Sequence, residues 1–440
     1  MNSYFKLRES YHDSIYRLYG SDKYGIDLCR SVTFVVTEDC CLNCTYCYET
    51  HKTKKKMSIE TAKQIVDYLF ELYDKDDRNL PINKNTQSIV LEFIGGEPLL
   101  EINLIMETCD YFWAKAIEKH SPWALLFRIA ISTNGVLYFE PKVQEFIRKY
   151  KRKLSMSVSL DGSKEMHDKC RLHFDGTGSW DEAHRAAEQI KTDIPFIKPG
   201  TKVTISPENM PYLFETIKFF LEDGYTEIYA NPIYEHEWSH EESAEYYLQL
   251  KKIADMLFEG KYRDIVTNLF EESFFVPIPE TDNETWCGGS GDMLAFDTEG
   301  KAYPCLRYME MSLNGEQKPL VIGDCYMGIY QSTCEKKLYD ELRAVNRRSQ
   351  CTDECYYCPI ARGCASCTAW DYQSSGKLAC KSMNICWMHK ARSLANVYYW
   401  NTLYRSTGEK DKRMPLMLPK EDALKIVSEQ EYENLKKLSE

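Results

Sequence analysis

Eighteen cysteines stand in this chain of 440 residues, and their distribution is uneven. Cys29 precedes position 40, four fall between 40 and 47, Cys109 and Cys170 are isolated, and eleven follow position 286. The opening stretch MNSYFKLRESYHDS has neither the apolar run nor the cleavage site of a secretion signal. A cytoplasmic location is expected, where thiols stay reduced and clustered cysteines serve metal or redox chemistry. The first group spaces Cys40-x3-Cys44-x2-Cys47 and so sets three thiolates on one tight loop. Iron–sulfur clusters take four ligands. A four-iron cluster held by three leaves one iron for a non-protein ligand, such as the amino and carboxylate groups of an amino-acid-like cofactor. A zinc knuckle is the competing reading, but structural zinc is closed by four ligands. The neighbouring Cys41 is awkward for that purpose because it adjoins Cys40.

Three further segments follow strand-like runs. Gly95-Gly96-Glu97-Pro98 comes after SIVLEFI (88–94), STNG (132–135) ends LLFRIAIST (125–133), and SLDG (159–162) ends LSMSVSL (154–160). Glycines allow close backbone approach, and a carboxylate accepts hydrogen bonds from an ammonium. Each segment alone is ordinary turn chemistry. In this order, after a CxxxCxΦC loop whose aromatic residue is Tyr46, they resemble the radical S-adenosylmethionine superfamily over roughly residues 30–235. The resemblance implies a [4Fe–4S] cluster on Cys40, Cys44 and Cys47. It places Gly95, Gly96 and Glu97 at the cofactor's amino group, with Ser132 and Asn134 at the next strand end. It sets Ser159 and Arg171 at the ribose and carboxylate with Asp161 beside them, and Tyr46 near the adenine.

The later cysteines run Cys287-x12-Gly300-x4-Cys305, then Cys355-x2-Cys358-x5-Cys364-x2-Cys367, then Cys386. This resembles the SPASM domain, with two residues instead of the usual three between Cys364 and Cys367. The resemblance implies two auxiliary [4Fe–4S] clusters, making three in all. One would use Cys287, Cys305 and Cys367, the other Cys355, Cys358, Cys364 and Cys386. The first set has three ligands and so an open iron, unless Cys325, Cys334, Cys351 or Cys380 supplies a fourth. Zinc ribbons remain an alternative for the paired cysteines. Cys351-x3-Cys355-x2-Cys358 also copies the spacing of the first loop, but no buried strand precedes it and no glycine loop follows.

These residues need a scaffold. SVTFVVT (31–37), the three runs above, TKVTIS (201–206) and TEIYANP (226–232) read as six strands. Helical patterns separate them over about 58–74, 102–119, 140–150, 179–191 and 209–222. That alternation is an α/β fold with parallel strands, a partial (β/α)6 TIM barrel whose chemistry gathers at the C-terminal strand ends. The expected division is an N-terminal segment (1–25), the barrel (26–235), a helical bridge (236–284, helical over 239–275), a loop-rich SPASM domain (285–390) and a helical tail (391–440). A net charge of −12 argues against nucleic-acid binding, and no run is apolar enough for a membrane span. The basic run from Lys52 to Lys56 reads as a solvated loop, and Cys109 and Cys170 as buried thiols.

The resemblance implies a radical enzyme that modifies a ribosomally made, cysteine-containing precursor peptide through a 5′-deoxyadenosyl radical. Thioether (sulfur-to-carbon) crosslinking is the expected product. The alternatives are carbon–carbon crosslinking, epimerisation and anaerobic sulfatase maturation to formylglycine. In the last of these an aspartate after the second SPASM cysteine serves as base, whereas Cys305 is followed by Leu306 and Arg307. Glu235 and His236 are weak catalytic candidates. An electron donor such as flavodoxin or ferredoxin is implied. Only 39 residues precede Cys40, so a separate leader-binding protein is a further expected partner.

Overall fold

The computed structural model describes residues 29–195, 200–262, 265–285, 287–290, 293–409 and 412–440. The segment assigned to 1–25 lies outside them.

Strand β1 (Cys29–Thr37) is buried on both faces from Val32 onward, as a β-branched apolar run permits. Helix α1 (Ile59–Lys75) starts at Ser58, whose side chain accepts from the Thr61 N–H at 3.0 Å, and buries the predicted stripe of Ala62, Ile65, Val66, Leu69 and Leu72. Next come β2 (Ser88–Gly95), α2 (Ile102–Glu118), β3 (Phe127–Thr133), α3 (Pro141–Tyr150) and β4 (Leu154–Val158), with the four strands parallel in chain order. Helix α4 (Trp180–Asp193), β5 (Gly200–Ile205), α5 (Leu213–Glu222) and β6 (Glu227–Pro232) complete the alternation.

The six expected strands are present, but they do not form one ladder. β5 pairs with β6, and β6 with the short β7 (Val266–Thr267), in a separate sheet. At the break, side chains take over from the ladder. The Thr204 N–H donates to the Asp161 carboxylate at 3.2 Å, and the Thr201 hydroxyl donates to the Leu160 carbonyl at 3.3 Å.

Helix α6 (His240–Phe258) opens with a capping box between Ser239 and Glu242. Helix had been expected to Phe275; it stops at Phe258 because Gly260 follows at φ +76°, and β7 and turns take its place. Strand β8 (Leu294–Phe296) then pairs parallel with β1 on the side away from β2. β9 (Lys301–Tyr303), β10 (Gly323–Asp324) and β11 (Gly328–Ile329) extend that sheet antiparallel, giving the order β11-β10-β9-β8-β1-β2-β3-β4. Helices α7 (Thr333–Arg343), α8 (Thr368–Ser375), α9 (Cys386–Thr407) and α10 (Glu429–Ser439) follow, with α9 packed along α6. Among the described residues no helix is long and apolar enough to cross a membrane.

Candidate active site and cluster-binding cysteines

The Cys40–Cys47 loop leaves the end of β1 and is clamped by the glycine loop after β2. Gly96 N–H donates to the Thr37 carbonyl at 3.2 Å and Glu97 N–H to the Asp39 carbonyl at 2.9 Å. A Cβ on Gly96 would lie 2.2 Å from the Asp39 oxygen and 2.9 Å from Cys40 Cβ, so only glycine permits this approach. The other side of the loop is stitched by Asn43 N–H to the Leu172 carbonyl (2.7 Å) and Thr45 N–H to the Cys170 carbonyl (2.9 Å). Cys40 accepts from Leu42 N–H at 3.5 Å, and Asn134 Nδ2 reaches Cys41 Sγ at 3.1 Å. Contact with the Cys41 thiol holds Cys40 down to about 6, whereas burial pushes Cys44 up to about 11. Cys40, Cys44 and Cys47 share one electrostatic neighbourhood, since the charges of Cys47 and Cys40 both raise Cys44.

Glu97 is buried, and its carboxylate accepts from Leu99 N–H (3.0 Å), the Thr133 hydroxyl (2.7 Å) and Asn134 N–H (2.8 Å). Burial raises its pKa to about 7 despite these donors. Three protein donors leave about one of a carboxylate's four acceptor sites for an ammonium. Glu97 therefore also joins the glycine loop to the STNG turn. Ser132 lies elsewhere: it is exposed, stands 3.4 Å from the Ser157 hydroxyl and lines a cavity of about 390 Å³ in the barrel with Glu92 and Lys202.

A second knot forms after β4. Asp161 is fully buried, and its carboxylate takes Arg171 Nε at 2.7 Å and the Tyr46 hydroxyl on the same oxygen. The Arg171 guanidinium carbon is 5.4 Å from the Tyr46 ring centroid. Ser159 N–H donates to the Thr133 carbonyl at 2.8 Å and ties this knot to the first. Arg171 has five N–H donors, and one is committed to Asp161. The others fit a carboxylate, as the sequence reading of that residue requires.

The later cysteines gather in two places. Cys287 and Cys367 both raise the proton affinity of the half-buried Cys305, which desolvation chiefly pushes up to about 12. Arg307 lies beside Cys305 and Cys367. Cys355, Cys358, Cys364 and Cys386 line one cavity of about 290 Å³. Cys351 stands against Cys355, Cys334 is exposed on α7, and Cys325 is buried where a Cβ on Gly300 would lie 2.6 Å from its sulfur. Four thiolates on one zinc ion would sit about 3.8 Å apart. Among the described residues the only three ligand-type side chains within 4.8 Å of one another are His184, Glu188 and Asp223, so the cysteine sets are wider than a single zinc site. Two of the three hold the Lys191 ammonium, 2.5 Å from Glu188 and 3.0 Å from Asp223.

Comparison with known proteins agrees with this arrangement. Residues 27–128 match the family described as "4Fe-4S single cluster domain". An uncharacterized protein of Methanocaldococcus jannaschii is 28% identical over 64% of this chain and 86% of its own length. The radical SAM cyclopropyl synthase TigE of Paramaledivibacter caminithermalis is 26% identical over 38% of this chain and 34% of its own. A cysteine-type anaerobic sulfatase-maturating enzyme of Clostridium novyi is 22% identical over 74% and 85%. The solved structure of native anSMEcpe with bound AdoMet and Kp18Cys peptide shares the fold, with TM-score 0.60 at 16% identity over 87% of this chain and 99% of that one. The chain is similar to radical S-adenosylmethionine enzymes in sequence and shares their fold. The match over residues 27–128 supports an iron–sulfur cluster at the first cysteine loop, and the shared fold is one solved with S-adenosylmethionine bound.

Within this radical enzyme the two weak catalytic candidates part company. His236 Nε2 meets Glu242 at 2.9 Å and belongs to the cap of α6. Glu235 forms an ion pair with Arg307, whose guanidinium is 4.8 Å from the Tyr48 ring centroid. Tyr48 feels the charges of both Cys47 and Cys305, so this trio spans the first loop and the Cys287 set. Arg307 and Tyr48 escaped the sequence reading, as did Lys52, which lies against Cys47 and pairs with Glu49 at 3.9 Å. The basic run containing Lys52 is thus not wholly a solvated loop. Its alternation of Lys with His and Thr carried no signal of that burial.

Proposed function

We propose that this enzyme matures a ribosomally made, cysteine-bearing precursor peptide by closing thioether crosslinks. The observation that carries the reading is the group of three thiols, Cys287, Cys305 and Cys367. Of the four spare cysteines after position 286, Cys325, Cys334 and Cys351 are engaged elsewhere or exposed. Three ligands leave room for a fourth, and a substrate cysteine suits it because metals hold thiols deprotonated. When bound, the cluster at Cys40, Cys44 and Cys47 and S-adenosylmethionine supply one-electron chemistry that removes a hydrogen atom from the substrate.

The chain's own part is to hold and enclose. The Cys287 set and the Cys355, Cys358, Cys364 and Cys386 set would carry the auxiliary clusters. Arg171, Asp161, Tyr46 and Ser159 shape the far side of the cofactor pocket, and Gly95, Gly96, Glu97 and Asn134 the near side. Glu235, Arg307 and Tyr48 occupy the space between the first loop and the Cys287 set, where a peptide would reach both. An electron donor of the flavodoxin or ferredoxin class and a separate leader-binding protein belong to the same proposal. Sulfatase maturation is disfavoured because Cys305 is followed by Leu306 and Arg307 and not by an aspartate that could serve as base.

The test is anaerobic incubation of the reconstituted enzyme with S-adenosylmethionine, a reductant and a cysteine-containing precursor. Thioether closure removes two hydrogen atoms per crosslink and makes the cysteine inert to alkylation. A modified peptide whose cysteines all alkylate would refute crosslinking through sulfur. Cys380→Ala is expected to retain both iron content and crosslinking; loss of iron would make Cys380 the fourth ligand and close the site.

A further inference from the structure

Lys381 is a half-buried ammonium among sulfurs. Its Nζ lies 3.4 Å from Cys364 Sγ and 3.3 Å from the Cys364 carbonyl oxygen, and its backbone N–H is anchored to the Gln350 carbonyl at 2.9 Å. It lines the cavity that holds Cys355, Cys358, Cys364 and Cys386, and the adjoining one that holds Cys351. Among the described residues no carboxylate lies within ion-pair distance of it. The nearby buried Asp371 feels the Lys381 charge but forms no ion pair with it, and accepts from Ser382 N–H at 2.7 Å.

Two other cations near the auxiliary cysteines are neutralised, while Arg347 near Cys351 is held by backbone carbonyls. Arg307, beside Cys305 and Cys367, is paired with Glu235. Lys390, whose charge reaches Cys358 and Cys386, is paired with Asp422 at 2.8 Å. A cation left unpaired in a buried site is costly unless an anion is meant to face it. Thiolates on a cluster are such an anion. Reduction adds one negative charge to a cluster, and a fixed cation that hydrogen-bonds a ligating sulfur stabilises the reduced form.

We infer that Lys381 raises the reduction potential of the cluster at Cys355, Cys358, Cys364 and Cys386, making it a readier electron acceptor than the one at Cys287, Cys305 and Cys367. This rests on the cluster assignment of the proposed function.

The experiment is a redox titration followed by electron paramagnetic resonance on the full chain. Cys40, Cys44 and Cys47 are changed to Ala so that only the auxiliary signals remain. Lys381→Met and Lys381→Gln are expected to keep about eight iron atoms and to move one of the two transitions to more negative potential. Lys381→Arg should keep that transition near its original position. Asp422→Asn, which releases Lys390, should move the same transition positive. An iron-replete Lys381→Met or Lys381→Gln protein with neither transition moved, or both moved alike, overturns the inference. If neither neutral variant retains iron, Cys386→Ala decides instead: loss of the more negative of the two transitions overturns the inference. Failure of the underlying assignment reads differently: Cys386→Ala would then lose no iron.

Discussion

At the scale of the residue, the site turns on contacts a single atom can destroy. Gly96 sits so close to the cysteine loop that a methyl group would overlap the Asp39 carbonyl. Gly96→Ala is expected to cost about 1–3 kcal/mol as overpacking and to displace Cys40. The purified protein should lose roughly four iron atoms while both auxiliary sets keep theirs, which an iron and sulfide assay will read. Asp161→Asn makes the complementary case. It leaves the buried Arg171 guanidinium without its carboxylate, a loss of roughly 3–5 kcal/mol for a broken buried pair. S-adenosylmethionine affinity should fall along with the thermal midpoint; unchanged affinity in a folded variant would remove this knot from the cofactor pocket. Residues of this kind were legible because cysteine and glycine at fixed spacing carry their chemistry in their type. Arg307, Lys52 and Lys381 were not, since a lone basic side chain has no spacing to betray which sulfur it will face.

At the scale of the element, hydrophobic periodicity placed the first six strands and the helices between them to within a residue or two, except that α5 begins at Leu213, about four residues after the expected start. It could not place the break between β4 and β5, because periodicity reports which face a strand buries and not which neighbour it pairs with. The helix expected through Phe275 failed for a local reason, the positive φ of Gly260. The β4–α4 connection that spans the break carries a further consequence. His167 is buried there, its Nδ1 accepting from Asp161 N–H at 3.2 Å and its Nε2 3.1 Å from the Ser179 hydroxyl. Burial, then the Arg171 charge, lowers its pKa to about 3, against about 6.5 in an unfolded chain. Between those values the unfolded chain takes up a proton that the folded one refuses. Stability from this group is therefore complete above about pH 6.5 and declines as pH falls, by about 1.4 kcal/mol per unit. His167→Gln should flatten that decline. Thermal midpoints measured at about pH 7 and about pH 5.5 should draw together in the variant, and an equal drop in both proteins would show that His167 does not set the acid limb.

At the scale of the whole molecule, one sheet carries the logic. β1 pairs with β2 on one side and β8 on the other, so the strand that launches the first cysteine loop is also the seam to the cysteine-rich region. The hairpins β8 to β11 then fix Cys305 just past β9, and α9 begins at Cys386 and packs back along α6. Three separate cysteine sets are thus built on a shared frame, with Tyr48, Arg307 and Glu235 between the first two. Spacing alone revealed that there were two cysteine regions. It could not reveal that they share a sheet, because β8 is three residues long and its partner lies more than two hundred positions away. The frame makes a quantitative demand. If each set holds a four-iron cluster, the anaerobically reconstituted chain should bind about 12 iron atoms, and the variant with Cys40, Cys44 and Cys47 changed to Ala about eight. Because the sets are lined by different elements, the loss should be confined to the first, with no fall in auxiliary signal. A wild-type value near four with zinc bound would make the C-terminal region a structural metal domain and remove the basis for crosslinking through sulfur. A fall below eight in the variant would mean that the clusters stabilise one another through β1.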